Sequence, residues 1–257
     1  MDCMEYMKTL PDNAFDLAVV DPPYGINVAS HANGQVVGGG ARPFGGNKNL
    51  VWAKPKSYGS SKPYHTFADD RPPDEGYFKE LARVSKRRII WGGNFMLDYL
   101  GAASCMIVWD KKRRGMDQAD CEIAWTNLNG QSRIFDYLWN GMLQENMKKK
   151  EQRIHPTQKP VALYAWIFRN YAKPGMKILD THLGSGSSRI AAWDAGLDFV
   201  GTEIDETYFN LQEERFKKHI AQGTIFDTEM DAQAEQISLL NAALNTKNPC
   251  YNVSVKM

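Results

Sequence analysis

The chain has 257 residues, 43% of them apolar, so it can bury one large core and form a single α/β domain with insertions. A formal net charge of +1 excludes an overall polycation, and no apolar run approaches the length of a membrane span. The four cysteines and five histidines lack metal-site or disulfide spacing and no signal peptide is visible, so we expect a cytoplasmic, metal-free protein with reduced thiols.

The first chemical motif is a turn at residues 21–25, Asp-Pro-Pro-Tyr-Gly, directly after an apolar run at Phe15–Val20 that is predicted to be a buried strand. Because proline has no N–H and restrains the residue before it, the turn leaves carbonyl groups free to accept hydrogen bonds. A carboxylate, a carbonyl and an aromatic face at a strand end suit a planar ring with an exocyclic amine. The alternative is a structural turn with Asp21 as a cap and Tyr24 on the surface.

A long glycine-rich stretch follows at residues 26–73. Loops of this length in a compact domain are usually functional or disordered, so beside a base-binding turn this one is predicted to be a mobile loop that orders on DNA. The next patterns predict a helix at about 74–85 and strands at 88–91, 106–109 and 122–126. Asn94 either lines the base pocket or caps a helix at 95–100.

Basic residues cluster at 86–88, 111–114 and 148–150. Each cluster alone fits a solvated face, but three of them in a chain with a base-binding turn favour a surface that follows phosphates. Residues 127–153 mix such cations with polar and aromatic side chains, including Gln144 and Asn146, and are predicted to be the target-recognition segment. The residues assigned to DNA are Lys111, Lys112, Arg113, Arg114, Arg133, Lys148, Lys149 and Lys150.

A second constellation begins with a strand at 176–179, followed by a glycine loop at 180–188, a helix at 189–195 and a strand at 199–202 that ends at Glu203. A glycine loop before a helix exposes N–H groups to a ligand, and an acid about 20 residues later is placed to hold ribose hydroxyls. Arg189 stands where the dinucleotide fingerprint has its third glycine. The pattern therefore favours a nucleoside such as S-adenosylmethionine over NAD.

Four segments resemble, in content and order, the beta class of DNA amino-methyltransferases, in which the catalytic motif precedes the cofactor loop: residues 21–24, 155–160, 180–188 and 201–203. The resemblance extends to about Ile220. It implies an α/β fold with a doubly wound, mixed, seven-stranded sheet, that is, a circularly permuted Rossmann-like methyltransferase fold with inserted loops for DNA recognition. We expect a catalytic domain at 1–222 and a C-terminal helix and tail at 223–257.

The resemblance also implies the site residues. The catalytic residues would be Asp21, Pro22, Pro23 and Tyr24. The cofactor residues would be Asp2, Cys3, Asp21, Thr157, Gln158, Lys159, Asp180, Thr181, His182, Leu183, Gly184, Ser185, Gly186, Glu203 and Ile204. The printed sequence shows no strand before the Asp2 segment, where the family has one, so either the sequence starts later than in the family or that strand is supplied otherwise. His182 stands where the family usually has phenylalanine, so the role of His182 is open. Lys159 either pairs with the cofactor carboxylate or is solvated.

The implied reaction is methyl transfer from S-adenosylmethionine to the N6 amine of adenine in double-stranded DNA after base flipping, in a bacterial or phage-infected cell. Methylation of the N4 amine of cytosine is the alternative, because it presents the same amine geometry. A homodimer and a companion restriction endonuclease are compatible with this expectation, and no membrane partner is expected. A silent DNA-binding module is disfavoured, because both the acid and the cofactor glycines are present.

Overall fold

The computed structural model describes residues 1–26, 71–115, 119–140 and 143–222, without the side chain of Asn140. Met1–Glu213 and Glu214–Met257 form two compact units, and the described part of the second is the end of a helix over residues 206–222. Most of the loop predicted at 26–73 and all of the tail predicted at 223–257 lie outside the described residues, so both stay predictions.

Helices alternate with strands in the first and last parts of the chain, and five strands follow one another in the middle. Their order is α1 (Cys3–Lys8), β1 (Phe15–Val20), α2 (Glu75–Val84), β2 (Ser85–Trp91), a short 3-10 helix (Gly93–Phe95), α3 (Leu97–Leu100), β3 (Met106–Asp110), β4 (Cys121–Thr126), β5 (Arg133–Asp136), β6 (Trp139–Asn140), β7 (Leu143–Gln144), α4 (Val161–Tyr171), β8 (Lys177–Asp180), α5 (Ser187–Asp194), β9 (Asp198–Gly201) and α6 (residues 206–222).

Seven strands form one sheet in the order β5-β3-β4-β2-β1-β8-β9, and β6 and β7 form a separate hairpin. Neighbouring strands of the large sheet run parallel, except that β4 is antiparallel to both β2 and β3. The predicted mixed, seven-stranded sheet is confirmed. Its edge strand β5 was not predicted, because it lies inside the segment assigned to target recognition, where Ile134 pairs with Val108 of β3.

Hydrophobic clusters cover both faces of the sheet, which makes it doubly wound. Because side chains alternate along a strand, Leu17 and Val19 of β1 pack on one face, with α4 and α5. Ala18 and Val20 pack on the other face, with α1 and α2. This alternation explains why the β1 sequence is apolar throughout, as expected for a central strand buried on both sides.

The strand register brings four carboxyl ends to one edge. Val20 pairs with Ile90, Ala18 with Leu179, and Asp180 with Gly201, so β1, β2, β8 and β9 end side by side. Strand β4 runs the other way, and its Ala124 pairs with Trp91. The start of β4, including Glu122, therefore lies at the same edge as the ends of the parallel strands.

Within the described residues, no helix combines the length and the apolarity needed to cross a bilayer.

Candidate active site

The turn at residues 21–25 closes on itself through a side-chain hydrogen bond. The Tyr24 hydroxyl donates to Asp21 Oδ1 at 2.6 Å, and the Tyr24 ring stacks on Phe95 with centroids 5.4 Å apart and planes at 22°. Gly92 lies against the other part of this ring: it has φ +67°, and a Cβ there would be 2.1 Å from a Tyr24 ring carbon. Only glycine fits this position, so the end of β2 and the turn are built around each other.

Lys159 connects the turn to a second carboxylate. Its Nζ lies 2.6 Å from Asp21 Oδ2 and 3.0 Å from Glu122 Oε2, and donates to the Tyr24 hydroxyl at 3.0 Å. Lys111 forms a short ion pair with the other Glu122 oxygen. Two carboxylates and two ammonium groups thus form one balanced, largely buried network, in which the Lys159 side chain is only 3% exposed.

The two carboxylates of this network differ in proton affinity. Burial acts to raise the pKa of Glu122, but Lys159 and Lys111 outweigh it and lower that pKa to about 2. Burial also raises the pKa of Asp21, and its share of Lys159 does not offset that effect. The Lys159 pKa is raised because Asp21 and Glu122 outweigh the opposite effect of burial. Asp21 is therefore the stronger proton acceptor of the two, while Lys159 stays charged.

Strand β8 ends in the glycine loop, which is organised by the Asp180 carboxylate. Asp180 accepts hydrogen bonds from the His182 N–H at 3.0 Å and from the Ser188 hydroxyl, and so joins the start of the loop to the first turn of α5. Burial is the main cause that raises the pKa of this carboxyl to about 7. Asp180 is 1% exposed, so it shapes the loop from within.

The end of β9 meets this loop through Glu203. Its carboxylate accepts from the Gly184 N–H at 2.7 Å and from the Asp205 N–H at 3.0 Å. Gly184 and Gly186 have φ values of +50° and +71°, which favour glycine, so the loop backbone follows a path that other residues rarely adopt. Ile204, beside Glu203, is 74% exposed and offers an apolar surface at the same place.

Two uncharged imidazoles flank the loop. His182 Nδ1 lies 2.9 Å from the Thr181 hydroxyl, which lies 2.6 Å from the Tyr77 hydroxyl. The His155 ring packs on Tyr208 with centroids 4.2 Å apart. Burial lowers the pKa of His182 to about 4 and, as the largest cause, that of His155 to about 3.

These surroundings fit S-adenosylmethionine. A nucleoside needs an acid for its ribose and an apolar wall for its ring, which Glu203 and Ile204 supply beside a backbone free of side chains at Gly184. The positively charged sulfonium is favoured where neighbouring bases are neutral, as His155 and His182 are. Within the described residues, no group of three or more potential metal ligands is present.

Comparison with known proteins agrees with this geometry. The N6/N4 DNA methylase family model matches residues 47–214. The chain belongs to this family. It is 24% identical over 239 residues to the type II methyltransferase M2.DpnII of Streptococcus pneumoniae, covering 84% of this chain and 87% of the relative. YubD of Escherichia coli (strain K12), whose name describes it as a methylase, is 25% identical over 214 residues, covering 83% of this chain and 87% of the relative.

Two solved structures resemble the chain at low identity. The M1.HpyAVI complex with S-adenosylmethionine has a TM-score of 0.48 at 16% identity, covering 84% of this chain and 96% of that one. The PvuII DNA methyltransferase, which is cytosine-N4-specific, has a TM-score of 0.47 at 14% identity, covering 84% of both chains. Because the family model matches residues 47–214, the chain is an N6/N4-type DNA methyltransferase, and the cofactor of its family is S-adenosylmethionine.

The other predicted cofactor residues are held by contacts outside the glycine loop. The Thr157 N–H donates to His155 Nδ1 at 3.3 Å, while Gln158 is buried and holds the backbone of residues 152–154. Asp2 caps α1 by accepting from the Met4 and Glu5 N–H groups. Lys159 is buried against Asp21, so the solvated alternative is wrong, while pairing with the cofactor carboxylate stays a prediction.

Four further residues singled out in the sequence are Cys3, Leu183, Ser185 and Arg189. Burial is the main cause that raises the Cys3 pKa to about 11, so this thiol stays protonated. Leu183 is buried and donates its N–H to the Thr202 carbonyl, and Ser185 is buried beside Ser187. Arg189, in place of a third glycine, lies 2.9 Å from Gln212 and pairs with Glu213. Its guanidinium therefore ties α5 to α6.

Three of the four cations in the basic cluster at 111–114 pair with carboxylates of the protein itself. Besides the Lys111 pair with Glu122, Lys112 lies 3.1 Å from Glu145 and Arg114 pairs with Asp110. Arg113 is 8% exposed and donates to the Trp139 carbonyl at 3.4 Å. Contact of these four side chains with phosphate stays a prediction, and it would require each to leave its present partner.

Other predicted DNA residues lie on the surface. Lys148, Lys149 and Lys150 are exposed in a turn, as is Arg133 at the start of β5. Gln144 is buried, and its amide is bonded to the backbone of Glu151 at 2.9 and 2.8 Å. Gln144 therefore supports the segment from inside, and its predicted role in contacting base edges is not compatible with this placement.

Sequence reasoning missed Glu122 and Tyr77. Glu122 interrupts an otherwise apolar strand, and an acid at the start of an antiparallel strand was the available signal for it. Tyr77 lies in the first turn of α2 and carried no distinguishing pattern. Asn94 is exposed, and neither the 3-10 helix nor α3 has a side-chain cap, so the capping interpretation of Asn94 is wrong.

Proposed function

We propose that this DNA methyltransferase transfers the methyl group of S-adenosylmethionine to the N6 amine of adenine. The observation that carries the proposal is the position of Asp21. Its carboxylate follows β1, which pairs directly with β8, and β8 leads into the loop that would hold the cofactor. An amine acceptor and a cofactor loop at adjacent strand ends support transfer between two bound molecules.

The amine must be activated because its lone pair is delocalised into the ring. Asp21 and the Pro22 carbonyl would accept its two hydrogens and favour a more tetrahedral nitrogen whose lone pair is available for attack. Bound S-adenosylmethionine supplies a methyl group on a positively charged sulfur. After transfer the amine carries an extra proton, and Asp21 is suited to accept it, since burial raises its pKa above the ordinary value.

The target amine lies inside the duplex, so the base must be flipped into the site. Tyr24 and Phe95 form an aromatic surface beside Asp21 on which a planar base would stack, a contact worth about 1–3 kcal/mol. Lys148–Lys150 and Arg133 are the exposed cations proposed to contact the backbone. The proposal includes double-stranded DNA as substrate and, by analogy with the type II name of M2.DpnII, a companion endonuclease.

Cytosine N4 is the second candidate target, because it offers the same amine to the same turn, and the structurally similar PvuII enzyme is cytosine-N4-specific. In the family that the chain resembles, aspartate at the first position of the catalytic motif leans toward adenine and serine toward cytosine, and this chain has Asp21.

The test is product identification. The purified protein is incubated with unmethylated genomic DNA and isotope-labelled S-adenosylmethionine, and the DNA is digested to nucleosides for mass spectrometry. We expect labelled N6-methyladenine. Labelled N4-methylcytosine would select the second candidate, and absence of label in both nucleosides would reject the proposal.

A further inference from the structure

The Tyr24 hydroxyl has three hydrogen-bond contacts: a long one to Glu122 Oε2 at 3.4 Å and two shorter ones of opposite sense. It donates to Asp21 Oδ1 at 2.6 Å and accepts from Lys159 Nζ at 3.0 Å. Burial is the main cause that raises the pKa of this phenol well above its ordinary value, so the hydroxyl is neutral and can do both at once. Asp21 and Lys159 therefore present an acceptor and a donor side by side to a single group.

Two DNA bases carry the matching pair of groups, a donor next to an acceptor, along one edge. Adenine carries a donor amine at N6 next to an acceptor nitrogen at N1, and cytosine carries N4 next to N3. Thymine and guanine present the reverse order along the corresponding edge, an oxygen acceptor next to an N–H donor. An acceptor and a donor fixed in the order of Asp21 and Lys159 thus match the target bases and oppose the other two.

We propose that Lys159 donates a hydrogen bond to the ring nitrogen next to the target amine while Asp21 accepts from the amine itself. The base edge then takes the place of the Tyr24 hydroxyl, and Tyr24 turns aside so that its ring stacks on the base. Lys159 is then a base-selecting residue that contacts the substrate. This inference rests on the proposed amine methylation.

The contacts of Lys159 show which of its hydrogen bonds can be exchanged. Two of its acceptors, Asp21 Oδ2 at 2.6 Å and Glu122 Oε2 at 3.0 Å, are charged, and the third is the neutral Tyr24 hydroxyl. A ring nitrogen can replace a neutral acceptor without separating an ion pair. Exchange at Tyr24 therefore leaves both charged contacts intact.

Glu122 positions Lys159 from beside the Tyr24 hydroxyl, which lies 3.4 Å from Glu122 Oε2. It is held in turn by Lys111, whose side chain is 14% exposed, so the ammonium of Lys159 is fixed by a second carboxylate besides Asp21. A donor held by buried charges cannot rotate away from a wrong base. Thymine or guanine in this place would leave Lys159 facing an N–H group, with no acceptor for its proton.

The experiment removes the ring nitrogen from the substrate. Once the methylated site is mapped, duplexes are made with adenine, 1-deazaadenine or 7-deazaadenine at the target position, and single-turnover rates are measured at saturating DNA. 1-Deazaadenine lacks only the proposed acceptor, and 7-deazaadenine is the control that keeps it. If the target is cytosine, 3-deazacytosine replaces 1-deazaadenine.

The wild-type protein should methylate 1-deazaadenine about 10- to 100-fold more slowly than adenine, and 7-deazaadenine at close to the adenine rate. In Lys159→Met the adenine rate should fall and the adenine-to-1-deazaadenine ratio should approach one. Equal wild-type rates on adenine and 1-deazaadenine would overturn the inference while leaving amine methylation intact. No methylation of any base would reject the proposed function itself, and the inference with it.

Discussion

Lys159 Nζ lies 2.6 Å from Asp21 Oδ2, although 138 positions separate the two residues in the sequence. The contact joins the segment before α4 to the turn after β1, so it links the two motifs that a linear scan treats separately. Because Lys159 is also bound to Glu122, its charge is divided between two carboxylates. Burial is the main cause that raises the Asp21 pKa above its ordinary value, and the shared Lys159 charge does not offset it.

Removing the shared carboxylate should destabilise the fold. Glu122→Gln leaves Lys159 and Lys111 with one carboxylate between them, and we expect a loss of about 2 kcal/mol in the free energy of unfolding, measured by urea denaturation. The matched control is Glu122→Gln combined with Lys111→Met, which removes one charge of each sign and should recover part of the loss. Strict additivity of the two single substitutions would contradict a coupled network.

Gly92 tests the contact between the end of β2 and the catalytic turn. Gly92→Ala places a Cβ 2.1 Å from the Tyr24 ring at φ +67°, so we expect Tyr24 to be displaced and methylation to fall at least about tenfold. Gly175→Ala is the control, since Gly175 has φ +79° but no atom within 4 Å of a Cβ. Both variants carry backbone strain, and similar activity in the two would refute a specific role for the Tyr24 contact.

His182 should make stability depend on pH. Its pKa is about 4 in the folded protein and near 6.5 when exposed, so between these values the unfolded chain binds more protons and stability falls as the pH falls. His182→Phe should reduce the loss in the free energy of unfolding by at most about 1.4 kcal/mol per pH unit, measured by thermal unfolding from pH 7 to pH 4.

Other buried groups titrate in the same range without obscuring that comparison. The lowered pKa of His155 also makes the protein less stable as the pH falls. The raised pKa of Asp180, about 7, makes the protein more stable as the pH falls. Both residues are present in the two proteins, so their effects cancel in the difference. Parallel pH curves for the wild-type and His182→Phe proteins would show that His182 does not remain neutral on folding.

The exposed lysines test the proposed DNA surface. Neutralising Lys149 to Gln should reduce the dependence of DNA affinity on salt by about 0.9 log units per log unit of salt, because one phosphate contact would be lost. Lys112→Gln is the control, since Lys112 already pairs with Glu145 at 3.1 Å, and its salt slope should change less. An unchanged slope in Lys149→Gln would return that cluster to ordinary solvated surface.

Much of the sheet could be predicted because local pattern determines it. The apolar run of β1 and the strand, loop and helix around Asp180 each carry a periodicity or a turn signal that survives without tertiary information. Strand β5 carried no such signal, because Arg133–Asp136 has only two apolar residues, Ile134 and Phe135, between charged ones and lacks the alternation typical of a strand. It forms an edge strand by pairing with β3, which no local rule reveals.

The sequence predicted the motifs of the site, but it did not predict which charged side chains pair with each other. Asp21 and Glu203 were placed correctly at strand ends, since that position follows from the strand and the turn. The partners of Lys159 and Lys111 depend on which strand runs antiparallel, and this brings Glu122 to the same edge as Asp21. Side chains that look like a basic cluster in the sequence can therefore be paired with carboxylates in the fold, as Lys111, Lys112 and Arg114 are.

The most direct test of the account compares the wild-type protein with Asp21→Ala. Methyl transfer to DNA is measured by mass spectrometry of nucleosides, and S-adenosylmethionine binding is measured separately by calorimetry. We predict that Asp21→Ala loses at least about 100-fold in the rate of N6-methyladenine formation, because the amine loses its acceptor, while cofactor affinity stays within about threefold of wild type. Wild-type turnover by Asp21→Ala would contradict the assignment of Asp21 as the group that receives the amine.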